Sequence, residues 1–502
     1  MKRIIALLLA VMMVATLFVG CQKKDNGTTE GTTAAATTAK DDTSKETTKA
    51  TEAEKEIPTI VWYAVGGGKP ANYDSWTEKV NAYLEEKIGV HLDYECVSWG
   101  DWDDRHNAIV STNEPYDIMF ANGMVYSADV AMGAYADISD LLNEVPGLKE
   151  TIPEDVWKGC AIDGKVYGVP TYKDCACQQF LVCKKDVADK VPNWQDIHTL
   201  QDLDPVLQSV KDLGELPMSM VMNSVFLTYD NLGTGLEPMG VSYEHEGTEA
   251  PKVVSVLEQA DTMEKLNIIH DWMGKGYINS DAAIQKEPVS DYAIGFAQGW
   301  PSAVGSWSAN RGADCVCTEF EVPRLSNSDI QGSLSCIANT SKHKVEALKL
   351  LELANTDKTF RDMLAYGEEG VNFDYVEEEG MQKVQRNADN PWTFAAYTQA
   401  TFFTMSTEAG TTGNYWVDEV KGQNERAVVS PAIGFYFNPE KVADAIDACR
   451  AIWIEYKPSI TTGTADPTVA VPEMMERLRE SGFDDIVAEA QAQLDAWWAA
   501  QN

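Results

Sequence analysis

The sequence predicts an α/β protein of two or more lobes. The stretch from 59 to 122 reads strand, helix, strand, strand, the order of a mostly parallel sheet. Residues 57–502 exceed the size at which a single hydrophobic core keeps growing. A hydrophobic fraction of 44% with 14 tryptophans supplies apolar surface for more than one core.

The chain opens with basic Lys2 and Arg3 and an almost wholly apolar run from Ile4 to Val19. A membrane span needs about 20 such residues, so the run suits the apolar part of a signal peptide, over 1–20. Leu17-Phe18-Val19-Gly20-Cys21 resembles a bacterial lipobox, with Phe18 where Leu is usual. The resemblance implies that Cys21 carries a diacylglyceryl group and becomes the mature N-terminus. Two acyl chains, at roughly 0.8 kcal/mol per buried CH₂, hold a protein on a bilayer where one chain does not. Residues 21–56 are threonine-rich and hold no aromatic and no large aliphatic side chain, so they are expected to be a disordered tether. Its 35 residues after the cysteine would span about 30–35 Å.

"PTIVWYAV" is an apolar strand followed by Gly66-Gly67-Gly68, and Trp76, Val80 and Leu84 then recur at helical spacing. Val90, Leu92, Tyr94 and Cys96 alternate as a strand does, and "YDIMFANG" is a further short strand. In sheets of this kind ligands sit beyond the carboxyl ends of the strands, here expected at Trp62-Tyr63, Ser98-Trp99 and Ala121-Asn122. Asp163-Gly164 marks a tight hairpin turn. Val442, Ile446, Cys449 and Trp453 line one helix face, and Phe483, Val487, Ala490, Leu494 and Trp497 another. Lys457-Pro458 is expected to end the first of these helices, Pro472 to start the next helical region and Gly482 to interrupt it. The helical segment runs from about 440 to 502.

Composition and motifs exclude several classes. The sequence has 40 Lys and Arg against 78 Asp and Glu, a formal net charge of −38. Nucleic acid, whose binding rests on phosphate neutralisation, is excluded as a partner. Gly66-Gly67-Gly68-Lys69 fails the phosphate-loop spacing because Pro70 follows, and "HEGTE" at 245–249 lacks a second histidine. "DWDDR" at 101–105 is not an EF-hand loop. No G-x-S-x-G occurs, so no catalytic residue, metal or cofactor is assigned. Beyond Cys21 stand nine cysteines, two pairs of them as C-x-C (Cys175/Cys177 and Cys315/Cys317). On strands such pairs would share a face and compose a Cys₄ site, although zinc sites more usually show C-x₂-C; the competing expectation is small buried thiols. Many free thiols outside a membrane suit a reducing, anaerobic habitat.

Six stretches in order resemble the carbohydrate-type (family 1) extracellular solute-binding proteins. They are "IDGKVYGVPTYKD" (162–174), "NWQDIHTLQDLDPVLQSVKDLG", "IGFAQGWPSAVGSWSAN" (294–310, taken as helix then strand), "ANTSKHKVEALKLLELANTD", "AYGEEGVNF" and the closing "EYKPSITTGTADPTVAVPEMMERLRESGFDDIVAEAQAQLDAWW". The last is similar to the end of the LipO-like subfamily of Gram-positive lipoproteins. The resemblance implies a two-lobe, type II periplasmic-binding-protein-like fold over 57–502, with the chain crossing between lobes and a ligand cleft between them. It also implies a monomer on the extracellular face of a Gram-positive membrane. That monomer would touch the bilayer only through its acyl anchor and deliver a solute to the permease subunits of an ATP-binding-cassette transporter.

A sugar or oligosaccharide is the expected solute. Sugars present flat C–H faces for aromatic rings and hydroxyls for polar groups. Candidate ligand-binding residues are therefore aromatics and polar residues at expected strand ends and hinges: Trp62, Trp99, Asn122, Tyr172, Lys173, Trp307, Trp416 and Tyr436. Trp307 is the first choice, because "VGSW" follows a short apolar run and enters a polar loop. The competing readings are a peptide or other polar solute, a surface adhesin, and a lipid-anchored glycoside hydrolase, which would need two carboxyls about 5–10 Å apart across the cleft.

Overall fold

The computed structural model describes residues 57–501, except 192, 223–227 and the side chain of Cys177. The signal peptide, Cys21 and the tether lie outside the described residues.

The first lobe is built on β1 (Thr59–Gly66), β2 (His91–Ser98), β3 (Ile118–Ala121), β4 (Gly168–Pro170) and β11 (Leu334–Ile337), ordered β2-β1-β3-β11-β4. β1 runs parallel to β2, with Gly66 opposite Ser98, and parallel to β3, with Trp62 opposite Ile118. β1 is covered on both faces and is nearly all apolar, as central parallel strands are. β2 lies at the edge and buries only alternate residues, Leu92, Tyr94 and Cys96. The helix Tyr73–Ile88 packs Trp76, Val80 and Leu84 onto this sheet and stops at Gly89, whose φ of 69° closes the left-handed cap. Asp163 and Gly164, with φ of 50° and 74°, turn the chain between Ile162 and its partner Lys165.

The second lobe holds β5 (Cys177–Lys184), β9 (Ile294–Gln298), β10 (Cys315–Leu325) and β14 (Val428–Val429), ordered β14-β10-β5-β9. A small sheet of β6 (Tyr229–Asp230), β7 (Met239–Ser242) and β8 (Val254–Ser255) shares a core with the C-terminal helices. The hairpin of β12 (Phe373–Glu378) and β13 (Met381–Arg386) adds a fourth cluster, with Phe402 and Trp416. The chain crosses between the two main sheets at 171–176 and 326–333, and again ahead of β14. Among the described residues no helix is long and apolar enough to cross a membrane.

Several expectations need correction. Three helices close the chain: Ala443–Thr461, Pro467–Glu480 and Phe483–Gln501. Pro458 lies inside the first and Pro472 inside the second. Ile454, one turn before Pro458, is exposed, so water can take up the carbonyl that the proline leaves without a donor. The second helix starts at Pro467, behind an Asp466 cap whose carboxylate accepts the Thr468 N–H at 2.9 Å. Gly482, with φ of 93°, does separate the last two helices. Residues 294–310 run strand then helix, so Trp307 sits within the helix Val304–Arg311 and not in a loop. The C-x-C pairs cannot share a metal. Cys317 pairs with Val182 while Cys177 pairs with Arg324, five residues along β5, about 17 Å at 3.4 Å per residue. Cys96 and Cys175 are buried free thiols pushed up to about 11 by burial.

Candidate functional site

The parallel strands all end on one edge of the first sheet, and the chain turns abruptly beyond each. After β2, Ser98 donates to Asp101 at 2.6 Å and the helix Trp102–Thr112 begins at once. Trp102 and Phe120 fill the space beneath, with centroids 5.6 Å apart. Trp99 therefore stays outside, 47% exposed, resting edge-on over Phe120 at 6.0 Å. Beside it lies Tyr397, itself 41% exposed. The two rings are almost parallel (11°) with centroids 6.5 Å apart, and Trp99 Nε1–H donates to the Tyr397 hydroxyl at 2.8 Å. A half-exposed, hydrogen-bonded aromatic pair at strand ends is a flat apolar shelf with a polar rim.

Tyr397 arrives on a segment that runs across the ends of β1. Gly67 N–H donates to Thr393 O at 2.8 Å, Thr393 Oγ1 to Gly68 O at 2.6 Å, and Thr398 Oγ1 to Val65 O at 3.0 Å. A Cβ on Gly66 would meet Cys96 Sγ at 2.9 Å, and one on Gly67 would meet Thr393 O at 3.0 Å. The glycines thus permit close backbone approach and form no phosphate cradle.

Asn122, after β3, folds its side chain back to accept Met124 N–H at 3.1 Å. It lines a cavity of about 760 Å³ with Ser127 of the first lobe, Asn327 and Gln331 of a crossing, and Tyr436 and Arg450 of the second lobe. Charged groups lie nearby. Lys173 pairs with Asp174 at 2.8 Å; burial opposes its charge, yet Asp174, Cys175 and Asp329 hold its pKa above the ordinary lysine value. Burial lifts Asp329 to about 6, against its bonds from Ser326, and Asp230 beside it is raised for the same reason. At neutral pH the crossing thus carries half-buried charge, and Lys173 belongs to its internal pairing.

The structure separates the remaining candidates. Trp62 is a correction: β1 continues four residues past it, and its ring is fully buried, edge-on to Tyr94 at 5.3 Å. Tyr172 is buried against Phe403 at 4.6 Å, and burial pushes its hydroxyl up to about 12. Trp416 is buried between Phe402 (4.7 Å) and Trp300 (5.5 Å), where Ser302 also meets Glu419. Trp307 is half-buried on its helix, 5.6 Å from Phe180 and against Gly299. Trp99 and Tyr397 form the shelf, and Asn122 and Tyr436 meet at the cavity. Tyr397, Ser127, Gln331 and Arg450 carry no sequence signal of their own. Among the described residues no three His, Cys, Asp or Glu side chains are grouped to hold a metal ion.

The chain is similar to known proteins over most of its length. The sequence profile of the bacterial extracellular solute-binding proteins matches residues 78–391, and that of a domain of unknown function, DUF3502, matches 431–499. A carbohydrate ABC transporter substrate-binding protein of Streptococcus pneumoniae serotype 4 is 28% identical over 473 residues, covering 87% of this chain and 90% of its own. The crystal structure of the N-glycan transport solute-binding protein NgtS from Streptococcus pneumoniae superposes with a TM-score of 0.77 at 26% identity, covering 89% of this chain and all of NgtS. NgtS in complex with Man1GlcNAc gives 0.69 at 27% identity, over 88% of this chain and all of that one. The sugar-binding protein MalE of Xanthomonas citri, 14% identical with a TM-score of 0.51 over 88% of this chain and all of its own, shares the fold.

Proposed function

Because the chain belongs to the bacterial extracellular solute-binding proteins, we propose that it captures an oligosaccharide between its lobes and passes it unchanged to the permease subunits of an ATP-binding-cassette importer. The observation that carries this reading is the half-exposed Trp99–Tyr397 shelf at the carboxyl edge of the first sheet. A flat pair of rings rimmed by the Tyr397 hydroxyl suits the C–H faces and hydroxyls of a pyranose. The likeness to NgtS directs the choice toward glycans built of mannose and N-acetylglucosamine. Closure of the two lobes by hinge motion would bring both onto the glycan.

The test is thermal unfolding of the tether-free domain with Man1GlcNAc, Man5GlcNAc and a control maltooligosaccharide, followed by product analysis. A glycan at 100 times its Kd should add about 2.7 kcal/mol of stability and be recovered intact. No shift with any glycan would overturn binding, and sustained turnover by the pure protein would make it an enzyme.

The anchor belongs to the same reading. Cys21, at the end of the lipobox-like stretch, would hold the monomer at the extracellular membrane face, with residues 22–56 as its tether. Cys21→Ser protein should leave the membrane fraction or remain unprocessed. Retention after normal processing would remove the anchor.

A further inference from the structure

Behind the cavity at the strand ends lies a second hollow, of about 910 Å³. One wall is the helix Glu154–Cys160 with the Asp163-Gly164 turn, from the first lobe, and the other is the C-terminal helix, from the second. Trp157, Trp497 and Trp498 line it, all half-buried. Their planes are held: Trp157 Nε1–H donates to Lys149 O at 3.2 Å, Trp498 Nε1–H to Thr248 O at 3.0 Å, and Trp497 stands edge-on to Phe435 at 5.8 Å. Three oriented indoles leaving apolar surface in one concavity, with Lys158 and Gln501 at its margin, form a site for a flat ligand with hydroxyls.

The two hollows share a partition. Phe435 and Tyr436 line both. The Tyr436 hydroxyl has Ser127, on the first hollow, and Asp163, on the second, as its polar neighbours. Each hollow alone lies within the range of about 300–1,000 Å³ that holds one small ligand. Opposed walls come from the two lobes in both.

Resting on the oligosaccharide reading above, we infer that the second hollow receives a further arm of the same glycan. The protein then selects long or branched oligosaccharides over disaccharides. The shelf and first hollow hold one part of the ligand, and the Trp157–Trp497–Trp498 hollow stacks another past Tyr436.

The experiment is calorimetry of the tether-free domain with Man1GlcNAc and Man5GlcNAc. Wild type should bind Man5GlcNAc at least tenfold more tightly. Ala496 is exposed on the C-terminal helix and lines the second hollow, so Ala496→Trp fills the space without removing a core contact. It should remove that tenfold advantage and leave Man1GlcNAc within twofold of wild type. Trp157→Ala, which strips a wall instead, should weaken Man5GlcNAc by roughly 5- to 150-fold with the same sparing of Man1GlcNAc. Unchanged Man5GlcNAc affinity in both variants overturns the second hollow while the oligosaccharide reading stands. Equal wild-type affinities overturn it too. Wild type binding neither glycan overturns this inference together with the reading beneath it.

Discussion

Trp99→Ala should weaken glycan binding by roughly 5- to 150-fold while the protein melts within a degree or two of wild type. Stacking on an aromatic ring is worth about 1–3 kcal/mol by alanine substitution in base–aromatic pairs, and each 1.4 kcal/mol is a tenfold change in affinity. The stability cost is small because nearly half the indole faces water and the space below it is already filled by Trp102 and Phe120. Changes at such positions cost about 0.5 kcal/mol. Tyr397→Phe keeps the ring and removes only the acceptor for Trp99 Nε1–H. The same hydroxyl is lost to the glycan, and one hydrogen bond to it is worth about 1 kcal/mol, so affinity should fall about fivefold. Calorimetry on the two variants beside thermal melts measures both effects. A Trp99→Ala protein that binds as wild type does would move the site away from the shelf.

What the sequence disclosed follows the range of the forces involved. The alternation of Leu92, Tyr94 and Cys96 and the helical spacing of Trp76, Val80 and Leu84 are local, and each lands on the buried face. Gly482 breaks the helices because a φ of 93° suits glycine whatever surrounds it. Pro458 and Pro472 mislead because a helix on a surface loses one donor and keeps its neighbours. Trp62 was expected at a strand end because the glycines after it look like a turn, yet Val65 and Gly66 still pair with β2. Trp307 was expected in a loop because Gly305 and the serines around it hide the helical turn. Tyr397 was invisible for a different reason. Its partner Trp99 stands 298 residues earlier, and nothing in "TFAAYTQA" is periodic. The shelf exists only because a distant segment is pinned across β1.

The pin is Arg361, and replacing it should cost both stability and affinity. Arg361 is wholly buried on the helix Lys358–Tyr366. Its Nε–H donates to Thr401 O at 2.7 Å, Nη1 to Gln399 Oε1 at 3.0 Å, and Nη2 to Ala396 O at 2.9 Å and Ala400 O at 3.2 Å. These acceptors flank Tyr397 on both sides. Burial lowers the guanidinium to about 10, so it remains charged at neutral pH. The neighbouring Asp362 takes the far end of the same segment, accepting from Ser406 N–H at 2.8 Å and its hydroxyl at 2.6 Å. Arg361→Met would strand three buried acceptors, Thr401 O, Gln399 Oε1 and Ala400 O, while Ala396 O keeps the Gln399 N–H; the loss is about 3–5 kcal/mol by analogy with broken buried charge contacts. Arg361→Lys should recover little, since one ammonium with three donors cannot span a fork of four acceptors. Well below the melting temperature, where both variants are folded, the freed segment should let Tyr397 drift from Trp99. Glycan affinity should then fall at least as far as in Tyr397→Phe, with the loss concentrated in a faster off-rate. Melting curves and binding kinetics on the same samples distinguish the outcomes. A lower melting temperature with wild-type affinity would mean that the contacts at Gly67, Thr393 and Thr398 hold Tyr397 in place without Arg361.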